Sequence, residues 1–360
     1  MTAPPEPQRV LCPICLGFFP WREDELYRPE TDQNVGARWV KVDLAHLNNP
    51  VLRKDRRRRC YVKCPNPGRE HQEHFLPITY RDHGEPIIIG LVGSSRAGKT
   101  HLLATMIHAA TQGGGLRHHG LVFEPADELR HAGFRSQVNA LMQGRKKLEA
   151  TEDLKQDFTT YLLVRTPDDR ARPVVFFDVA GEDFVDPGQK DLGGQFVLAA
   201  TAFMFVDEPV SAIPALFGLP ANLPNDALNS ALARIQERPG FKDLPIAVVL
   251  TKADEVRYEH PVDHWLRRDD SRAPLDAGLF RDESRDVYAF LDRHGAQAML
   301  QVFDTFSRGT LHVVSATGSS VDENGVYPRG VHPARVLQPL LALLAMIGLV
   351  QQPGAAEVGR

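Results

Sequence analysis

Residues 87–100 read IIIGLVGSSRAGKT. The first six of them are apolar or small, which is typical of a short strand buried on both faces of a sheet. Beyond the glycine-rich middle, apolar residues recur at helical spacing from Leu102 to Ala110, until the glycines at 113–115 interrupt them. The stretch therefore predicts a strand, a tight loop and a helix in direct succession.

The loop in this stretch fits the phosphate-binding pattern G-x4-GK[ST]. Its residues are Gly93, Ser94, Ser95, Arg96, Ala97, Gly98, Lys99 and Thr100. Backbone N–H groups of such a loop surround phosphates, and the following helix adds the positive end of its dipole. Lys99 is expected to bridge the β- and γ-phosphates, and Thr100 to offer its hydroxyl to Mg²⁺. Arg96 either reaches the γ-phosphate or a partner, or is an ordinary exposed side chain.

A second apolar run, PVVFF at residues 173–177, is followed by DVAGED. Asp178 stands at the carboxyl end of this predicted strand, where a carboxylate can hold Mg²⁺ through water. Gly181 follows three residues later, and its N–H can reach the γ-phosphate. Together with the phosphate-binding loop, these residues predict a site for a nucleoside triphosphate and magnesium.

Two further apolar runs, at 246–250 and 311–314, end in short polar motifs. The first leads into Thr251, Lys252, Ala253 and Asp254, and the second into Ser315, Ala316 and Thr317. The intervals between the four motifs admit crossover helices, as a parallel sheet requires. All four motifs are therefore expected at one edge of a single sheet.

GxxxxGKT, DxxG, TKAD and SAT in this order resemble the signature of the Ras-like, translation-factor-related P-loop GTPases. The resemblance covers residues 86 to about 350 and implies an α/β three-layer sandwich, a mostly parallel sheet flanked by helices. It implies that Asp254 pairs with guanine, that Lys252 packs on the base, and that Ala316 lies under it. GTP or GDP is then the nucleotide. Residues 209–240 and 255–280 are interpreted as insertions, the first with a helix at 226–238.

The position after DxxG departs from the Ras-like pattern, because Glu182 stands where those enzymes have a water-orienting glutamine. A glutamate can accept a hydrogen bond from the attacking water but cannot donate one to the transferring phosphoryl group. Lys99, Gly181 and Glu182 are the expected catalytic residues, and intrinsic hydrolysis is expected to be slow. A partner is expected to complete the site, since a supplied arginine can raise such rates by about 10³–10⁵.

The threonine that would complete the Mg²⁺ shell should lie upstream of the strand predicted at 161–165. Thr151, Thr159 and Thr160 are available. Thr151 is the preferred candidate because its polar segment can order around the γ-phosphate, whereas the other two adjoin the strand. An ordinary surface role for Thr151 remains open.

All four cysteines lie in the first 64 residues, as C-x2-C and C-x3-C pairs: Cys12, Cys15, Cys60 and Cys64. Paired thiols at such spacing in a reducing compartment predict a structural Zn²⁺ site. His46, His71 or His74 can replace or join a thiolate. Incidental cysteines or two disulfides are the alternatives. Residues 1–82 are therefore predicted to form a zinc-ribbon-like module.

Together, the cysteine pairs and the phrase DVAGED resemble bacterial GTPases of the double-GTPase type. That resemblance implies a link to multi-gene conflict or signalling systems. It also implies protein partners, either a regulator or an effector, which includes another GTPase.

The chain has 360 residues, 42 of them basic and 46 acidic, for a net charge of −4. This balance disfavours a nucleic-acid binder that works by bulk charge. The run RKDRRRRC within a predicted basic loop at 53–63 faces phosphate or an acidic partner, or is simply solvated, and leaves nucleic acid open.

The amino terminus lacks the apolar stretch of a signal peptide, and the apolar run at 339–350 is too short to span a membrane. A soluble, cytoplasmic protein is expected. Residues 83–352 are predicted to form the GTPase domain, and 353–360 a disordered tail.

Three function classes follow from the sequence. The first is a GTP-hydrolysing switch that recruits protein partners through its insertions and zinc module. The second is a GTP-dependent scaffold with negligible turnover. The third is an ATPase in which TKAD and SAT are coincidences.

Overall fold

The computed structural model describes residues 9–32, 36–66, 73–112, 114–148, 160–180, 192–220, 225–268 and 273–360. The chain divides into two compact units. The first comprises Met1–Pro86 with Arg170–Pro173, and the second comprises Ile87–Asp169 with Val174–Arg360. The boundary after Pro86 lies a few residues beyond the one predicted at 82.

Two small antiparallel sheets build the first unit. One pairs β1 (Arg9–Leu11) with β2 (Phe18–Pro20). The other has the order β4-β3-β5-β6, with β3 at Leu26–Asp32, β4 at Gly36–Val42, β5 at Tyr61–Lys63 and β6 at Phe75–Pro77. Aromatic rings fill much of its interior. Trp39 stacks on Phe75 with ring centroids 4.2 Å apart, and Trp21 stacks on Tyr80 at 6.4 Å.

The basic run of the first unit is a helix, α1 (Pro50–Arg58), so the predicted basic loop is wrong. The Asn49 side chain caps it by accepting from the N–H groups of Val51 and Leu52, and Pro50 suits the first helical position. No residue of α1 is buried. The signal at Asn49-Pro50 was present in the sequence and outweighs the mutual repulsion of the arginines.

A seven-stranded sheet of order β13-β12-β11-β7-β10-β9-β8 forms the centre of the second unit. Its strands are β7 (Ile87–Gly93), β8 (Val122–Pro125), β9 (Thr160–Arg165), β10 (Ala171–Ala180), β11 (Ala202–Asp207), β12 (Ile246–Leu250) and β13 (Gly309–Val313). Parallel pairing joins the five neighbouring strands β13, β12, β11, β7 and β10, whereas β8 pairs with β9 antiparallel. The predicted α/β fold with a mostly parallel sheet is confirmed.

The helices of the second unit connect and flank this sheet. They are α2 (Lys99–Thr111), α3 (Glu128–Met142), α4 (Leu192–Ala199), α5 (Pro209–Ala212), α6 (Asp226–Gln236), α7 (Val262–Leu266), α8 (Ala277–Arg293), α9 (Gln297–Thr305) and α10 (Gln338–Met346). Every residue of α10 is buried, which explains its unbroken apolar sequence. The helix predicted at 226–238 corresponds to α6.

All residues of β7, β11 and β12 are buried, as expected for strands covered on both faces. Close packing sets some of their residue types. A Cβ on Gly90 would lie 2.2 Å from a ring atom of Phe196, so only glycine fits beneath that ring. The sheet therefore gives the loops at its carboxyl edge a rigid base.

The last residues of the chain pack against the second unit, so the predicted disordered tail at 353–360 is wrong. Ala355 and Val358 are buried. Gly309 N–H donates to Gly359 O at 3.1 Å, which fastens the segment to the first residue of β13. Gly354 and Gly359 have φ of 79° and 76°, and the turns that they allow bring Val358 into the core.

Within the part of the chain that the structure describes, every helix is too short or too polar to cross a bilayer.

Candidate nucleotide-binding site and metal cluster

The loop after β7 has the geometry that a phosphate-binding loop needs. A Cβ on Gly93 would lie 2.1 Å from Val206 O, so the loop leaves the sheet where only glycine fits. Gly98 has φ 79° and directly precedes α2, a left-handed conformation that glycine adopts without strain. Ser95 and Arg96 between them are exposed. The predicted succession of strand, loop and helix is confirmed.

Lys99 is the first residue of α2 and its side chain is buried in the loop. Its ammonium donates to Gly93 O and Ser94 O, each at 2.9 Å. These bonds hold a positive charge inside the curve of the backbone, next to the positive end of the α2 dipole. The position suits a phosphate group. Thr100 follows as the second residue of the helix.

The TKAD motif is joined to the phosphate-binding loop through one side chain. The Thr251 hydroxyl lies 2.6 Å from Ala97 O and 2.9 Å from Asp207 O. Its backbone N–H donates to Asp207 O at 2.8 Å. Thr251 therefore connects the end of β12, the end of β11 and the loop.

The TKAD and SAT motifs lie beside each other, as predicted. The Ser315 hydroxyl donates to the Asp254 carboxylate and accepts from Gly318 N–H at 2.8 Å. Ala253 N–H donates to Val314 O at 3.1 Å. Ala316 is buried directly after Ser315. The structure thus fixes the Asp254 carboxylate from the SAT side.

Lys252 has a left-handed backbone, with φ 47°, and its ammonium pairs with the Glu208 carboxylate. Sequence reasoning missed Glu208 and its neighbour Asp207. The available signal was the apolar run at 202–206, which ends in two acids just as the other runs end in motifs.

Asp207 is a buried carboxylic acid at the end of β11. Asn225 donates to it at 2.7 Å and Glu208 N–H donates at 2.9 Å. Burial raises the pKa of Asp207 to about 7 in spite of these bonds. The group therefore changes charge near neutral pH, one strand away from the phosphate-binding loop.

His101 stands directly after Thr100 and is half-buried. Burial lowers the pKa of His101 to about 4, so the ring is neutral at physiological pH. Its Nε2 accepts from Leu148 N–H at 3.2 Å. The chain segment that ends at Leu148, close to Thr151 in sequence, is thereby attached to α2.

The predicted magnesium and hydrolysis residues are described only in part. The backbone of Asp178 lies opposite Leu91 in the parallel pairing of β10 with β7, and Ala180 lies opposite Gly93. Asp178 is therefore on the strand next to the one that carries the loop. Thr151, Gly181 and Glu182 lie outside the described residues.

A second polar cluster lies in the first unit. One ligand atom from each of Cys12, Cys15, Cys64 and His74 falls within 4.8 Å of the other three, and all four residues are buried. Cys12 and Cys15 follow β1, whereas Cys64 follows β5 and His74 precedes β6. Four such donors at the ends of two hairpins fit a tetrahedral Zn²⁺ site.

Local hydrogen bonds shape this cluster. Leu16 N–H donates to Cys12 O, and Cys64 N–H donates to His74 O, each at 3.0 Å. The sulfur atoms of Cys15 and Cys64 are 3.8 Å apart, and the four cysteines are free thiols. Hydrogen bonds from the Cys12 and Cys64 thiols hold the pKa of Cys15 well below its ordinary value. The arrangement excludes the two-disulfide interpretation and supplies a thiolate.

Cys60 departs from the predicted ligand set. Its thiol donates to Arg56 O at 3.3 Å, at the end of α1, and it is not a member of the cluster. His74, one of the three histidines considered from the sequence, takes the fourth place. Of the other two, His46 is not in the cluster either, and His71 lies outside the described residues. The prediction of four thiolates is corrected to three thiols and an imidazole.

Two solved structures are similar to this chain at 16% sequence identity each. One is a bacterial selenocysteine-specific elongation factor, EF-Sec, at a TM-score of 0.25, with 64% of this chain and 25% of that chain covered. The other is Methanosarcina barkeri Roco2 RocCORdC bound to GDP, at a TM-score of 0.30, with 74% and 51% covered. The chain thus spans a quarter of the first and about half of the second. No curated protein is similar enough to count as a relative.

The sequence profile of Double-GTPase 2 matches residues 87–300, more than half of the chain. The matched range begins at the first residue of β7 and contains the phosphate-binding loop, DxxG and TKAD. With the loop geometry and the adjoining TKAD and SAT motifs described above, the chain belongs to the Double-GTPase 2 family.

Proposed function

We propose that the protein is a GTP-binding switch that hydrolyses GTP slowly and acts through protein partners. The observation that carries the proposal is the Thr251 hydroxyl, which joins the base motif to the phosphate-binding loop. Binding of a base and binding of phosphates are then coupled through one rigid contact. A partner is either a regulator that completes the site or an effector, which includes another GTPase.

Recognition of guanine is assigned to Asp254. Its carboxylate accepts from the N1–H and exocyclic amine of guanine, and the Ser315 hydroxyl holds it in place. Adenine presents no matching pair of donors. A buried acceptor left without its donors disfavours the wrong base strongly. Lys252 lies along the base, and the backbone of residues 315–317 closes the other side.

The phosphates are assigned to the loop from Gly93 to Thr100. Lys99 already donates to loop carbonyls and can transfer those bonds to phosphate oxygens. Thr100 and Asp178 are the residues that would hold Mg²⁺, which neutralises charge on the β- and γ-phosphates when bound. Thr151 is proposed as the further ligand. The attachment of Leu148 to His101 supports this, because it brings the chain close to Thr100 shortly before Thr151.

Slow hydrolysis is proposed from the residue types at 181 and 182. Gly181 N–H senses the γ-phosphate, and Glu182 accepts from the attacking water but cannot donate to the phosphoryl group. Glu182→Gln restores a donor, so single-turnover hydrolysis by the isolated protein should become faster. If wild type and Glu182→Gln both fail to hydrolyse GTP, the scaffold function replaces the switch.

A structural zinc ion is proposed for Cys12, Cys15, Cys64 and His74. Four buried donors within 4.8 Å fit the ion, which would fix the two hairpins to each other. Free thiols fit a reducing compartment, and we propose the cytoplasm.

Nucleotide competition tests the proposed base specificity. GDP should displace a fluorescent guanine nucleotide, and ADP in large excess should not. Asp254→Asn should weaken GDP binding and favour xanthosine diphosphate, whereas Lys99→Ala should abolish the binding of both. Equal competition by ADP in the wild type would show that Asp254 does not select guanine.

A further inference from the structure

We infer that a buried polar cluster behind the SAT motif is a positioning device for guanine discrimination. The cluster consists of Glu283 on α8, Thr310 and His312 on β13, and Arg335 before α10, and we call it the Glu283 cluster. The inference rests on the proposed assignment of Asp254 to guanine. None of the four residues belongs to the motifs that predict nucleotide binding.

The cluster is enclosed and fully connected. Glu283 is 1% exposed and His312 is 0% exposed. One Glu283 oxygen lies 3.0 Å from His312 Nδ1 and 2.7 Å from an Arg335 terminal nitrogen, and the other lies 3.3 Å from Arg335 Nε. The second ring nitrogen of His312 lies 2.9 Å from the Thr310 hydroxyl. Arg335 therefore binds both carboxylate oxygens through two N–H groups on one edge of its planar guanidinium.

Burial of charged groups such as these in a core is unfavourable in free energy. Removing a carboxylate and a guanidinium from water costs several kcal/mol per ion, and their attraction often does no more than offset it. An apolar set of similar volume would stabilise the fold at least as well. A role in fixing geometry explains better than stability why ions occupy this place.

The Glu283 cluster holds both chain segments that bear on the SAT motif. His312 is on β13, and Ser315 follows it three residues later, just beyond the end of that strand. Arg335 follows Ala334, which exchanges two backbone hydrogen bonds with Ser315, at 3.1 and 2.8 Å. Ser315 in turn donates to Asp254. A shift of either segment would therefore move the hydroxyl that orients the Asp254 carboxylate.

The backbone of Arg335 adds a second, independent sign of constraint. Its φ is 59°, in the left-handed region that arginine enters only at some cost. Its guanidinium also lies over the ring of Trp265, 5.4 Å from the centroid. The grip of Glu283 and the stacking on Trp265 together hold a conformation that places Ala334 against Ser315.

Glu283→Gln tests this role. The glutamine amide has the same size as the carboxylate, but its NH₂ group is itself a donor and would face an N–H donor of the cluster. The measurement is the ratio of dissociation constants for IDP and GDP, since inosine lacks the exocyclic amine that Asp254 accepts. We expect the ratio to fall about tenfold from its wild-type value. The matched control is Ser284→Ala, on the neighbouring residue, which removes a hydroxyl that accepts from Leu311 N–H at 3.0 Å. It should lower the melting temperature and leave the ratio unchanged.

Arg335→Lys provides a second variant, because it keeps the charge and loses the fork. A fall of the ratio in either folded variant supports the inference. A lower melting temperature with an unchanged ratio in the folded variants would make the cluster merely structural and overturn it. If the wild type does not distinguish GDP from ADP, the proposed base specificity itself fails, which is a separate outcome.

Discussion

Different interactions stabilise the interiors of the two units of this protein. The second unit buries whole strands, and every residue of β7, β11 and β12 is inaccessible to water. Four of the six strands described in the first unit have only three residues, and its interior holds a few stacked aromatic rings and four donors brought together. Its stability should therefore depend on a few particular residues, and that of the second unit on many interchangeable ones.

Loss of the metal should produce the largest difference between the units. Cys64→Ser removes one of four donors, and structural zinc contributes about 10–16 kcal/mol in zinc-finger peptides. We expect the first unit to unfold and the second to keep binding GDP. Two of the three tryptophans, Trp21 and Trp39, lie in the first unit, so their fluorescence reports its unfolding. Metal analysis measures the loss of zinc. Unchanged zinc content and fluorescence would contradict the proposed ligand set.

Changes of pH should act on the two units in opposite directions. Metal binding to thiols releases protons, so the first unit should gain stability as the pH rises. In the second unit, the pKa of Asp207 is raised from 3.8 to about 7, so the folded state holds a proton that the unfolded chain has lost. Stability from this group is complete below about pH 4 and disappears as the pH rises to about 7.

Asp207→Asn isolates the effect of this carboxyl group, because an amide does not titrate. Relative to the variant, the wild type should lose up to about 4 kcal/mol between pH 4 and pH 7. Urea unfolding of the second unit at several pH values measures the difference. Parallel pH profiles for the two proteins would show that Asp207 does not carry the proton.

Two glycine-to-alanine substitutions compare how well each unit accommodates an added methyl group. Gly93→Ala places a Cβ 2.1 Å from a backbone oxygen of β11, which cannot move without distorting the sheet. Gly17→Ala places one 2.5 Å from the end of the Asn66 side chain, which can rotate away. We expect losses of about 3 kcal/mol for Gly93→Ala and under about 1 kcal/mol for Gly17→Ala. Thermal unfolding of the two variants measures both, and equal losses would contradict the comparison.

The smallest effect on zinc content is expected for Cys60→Ser. Cys60 is buried, but its thiol only donates to Arg56 O, and a serine hydroxyl can make the same bond. The variant should keep one zinc per chain and lose less than about 1.5 kcal/mol of stability. Cys64→Ser is its matched opposite. Loss of zinc from Cys60→Ser would return Cys60 to the ligand set.

Continuous apolar runs carried most of the prediction of the second unit. β12 has the predicted bounds, 246–250, and β7 extends the predicted run by one residue. The run at 202–206 is equally apolar, yet it was not predicted, because no recognised motif follows it. Its pairing with β12 brings Glu208 to Lys252. Strand order is not readable from local sequence, so that ion pair could not be derived.

Other features depend on geometry that spacing does not encode. Cys60 directly precedes β5 and is near Cys64 in sequence, whereas His74 directly precedes β6 and faces Cys64 across the hairpin. Which of these two residues joins the cluster depends on the register of the β5–β6 hairpin, in which Lys63 pairs with Phe75. The Glu283 cluster likewise unites three distant segments. Composition alone gives no sign that these polar residues share one enclosed space.

The Thr251 side chain determines how the two carbonyl oxygens beside it obtain their hydrogen bonds. It faces two carbonyl oxygens, those of Ala97 and Asp207, but a hydroxyl has a single hydrogen to offer. The Asp207 oxygen also accepts from the Thr251 N–H at 2.8 Å, so the hydroxyl hydrogen can serve Ala97 O, 2.6 Å away. An asparagine at this position would present two N–H hydrogens and supply both at once. Threonine meets the same need with one hydroxyl hydrogen, and that hydrogen fastens the loop from Gly93 to Thr100 to the end of β12.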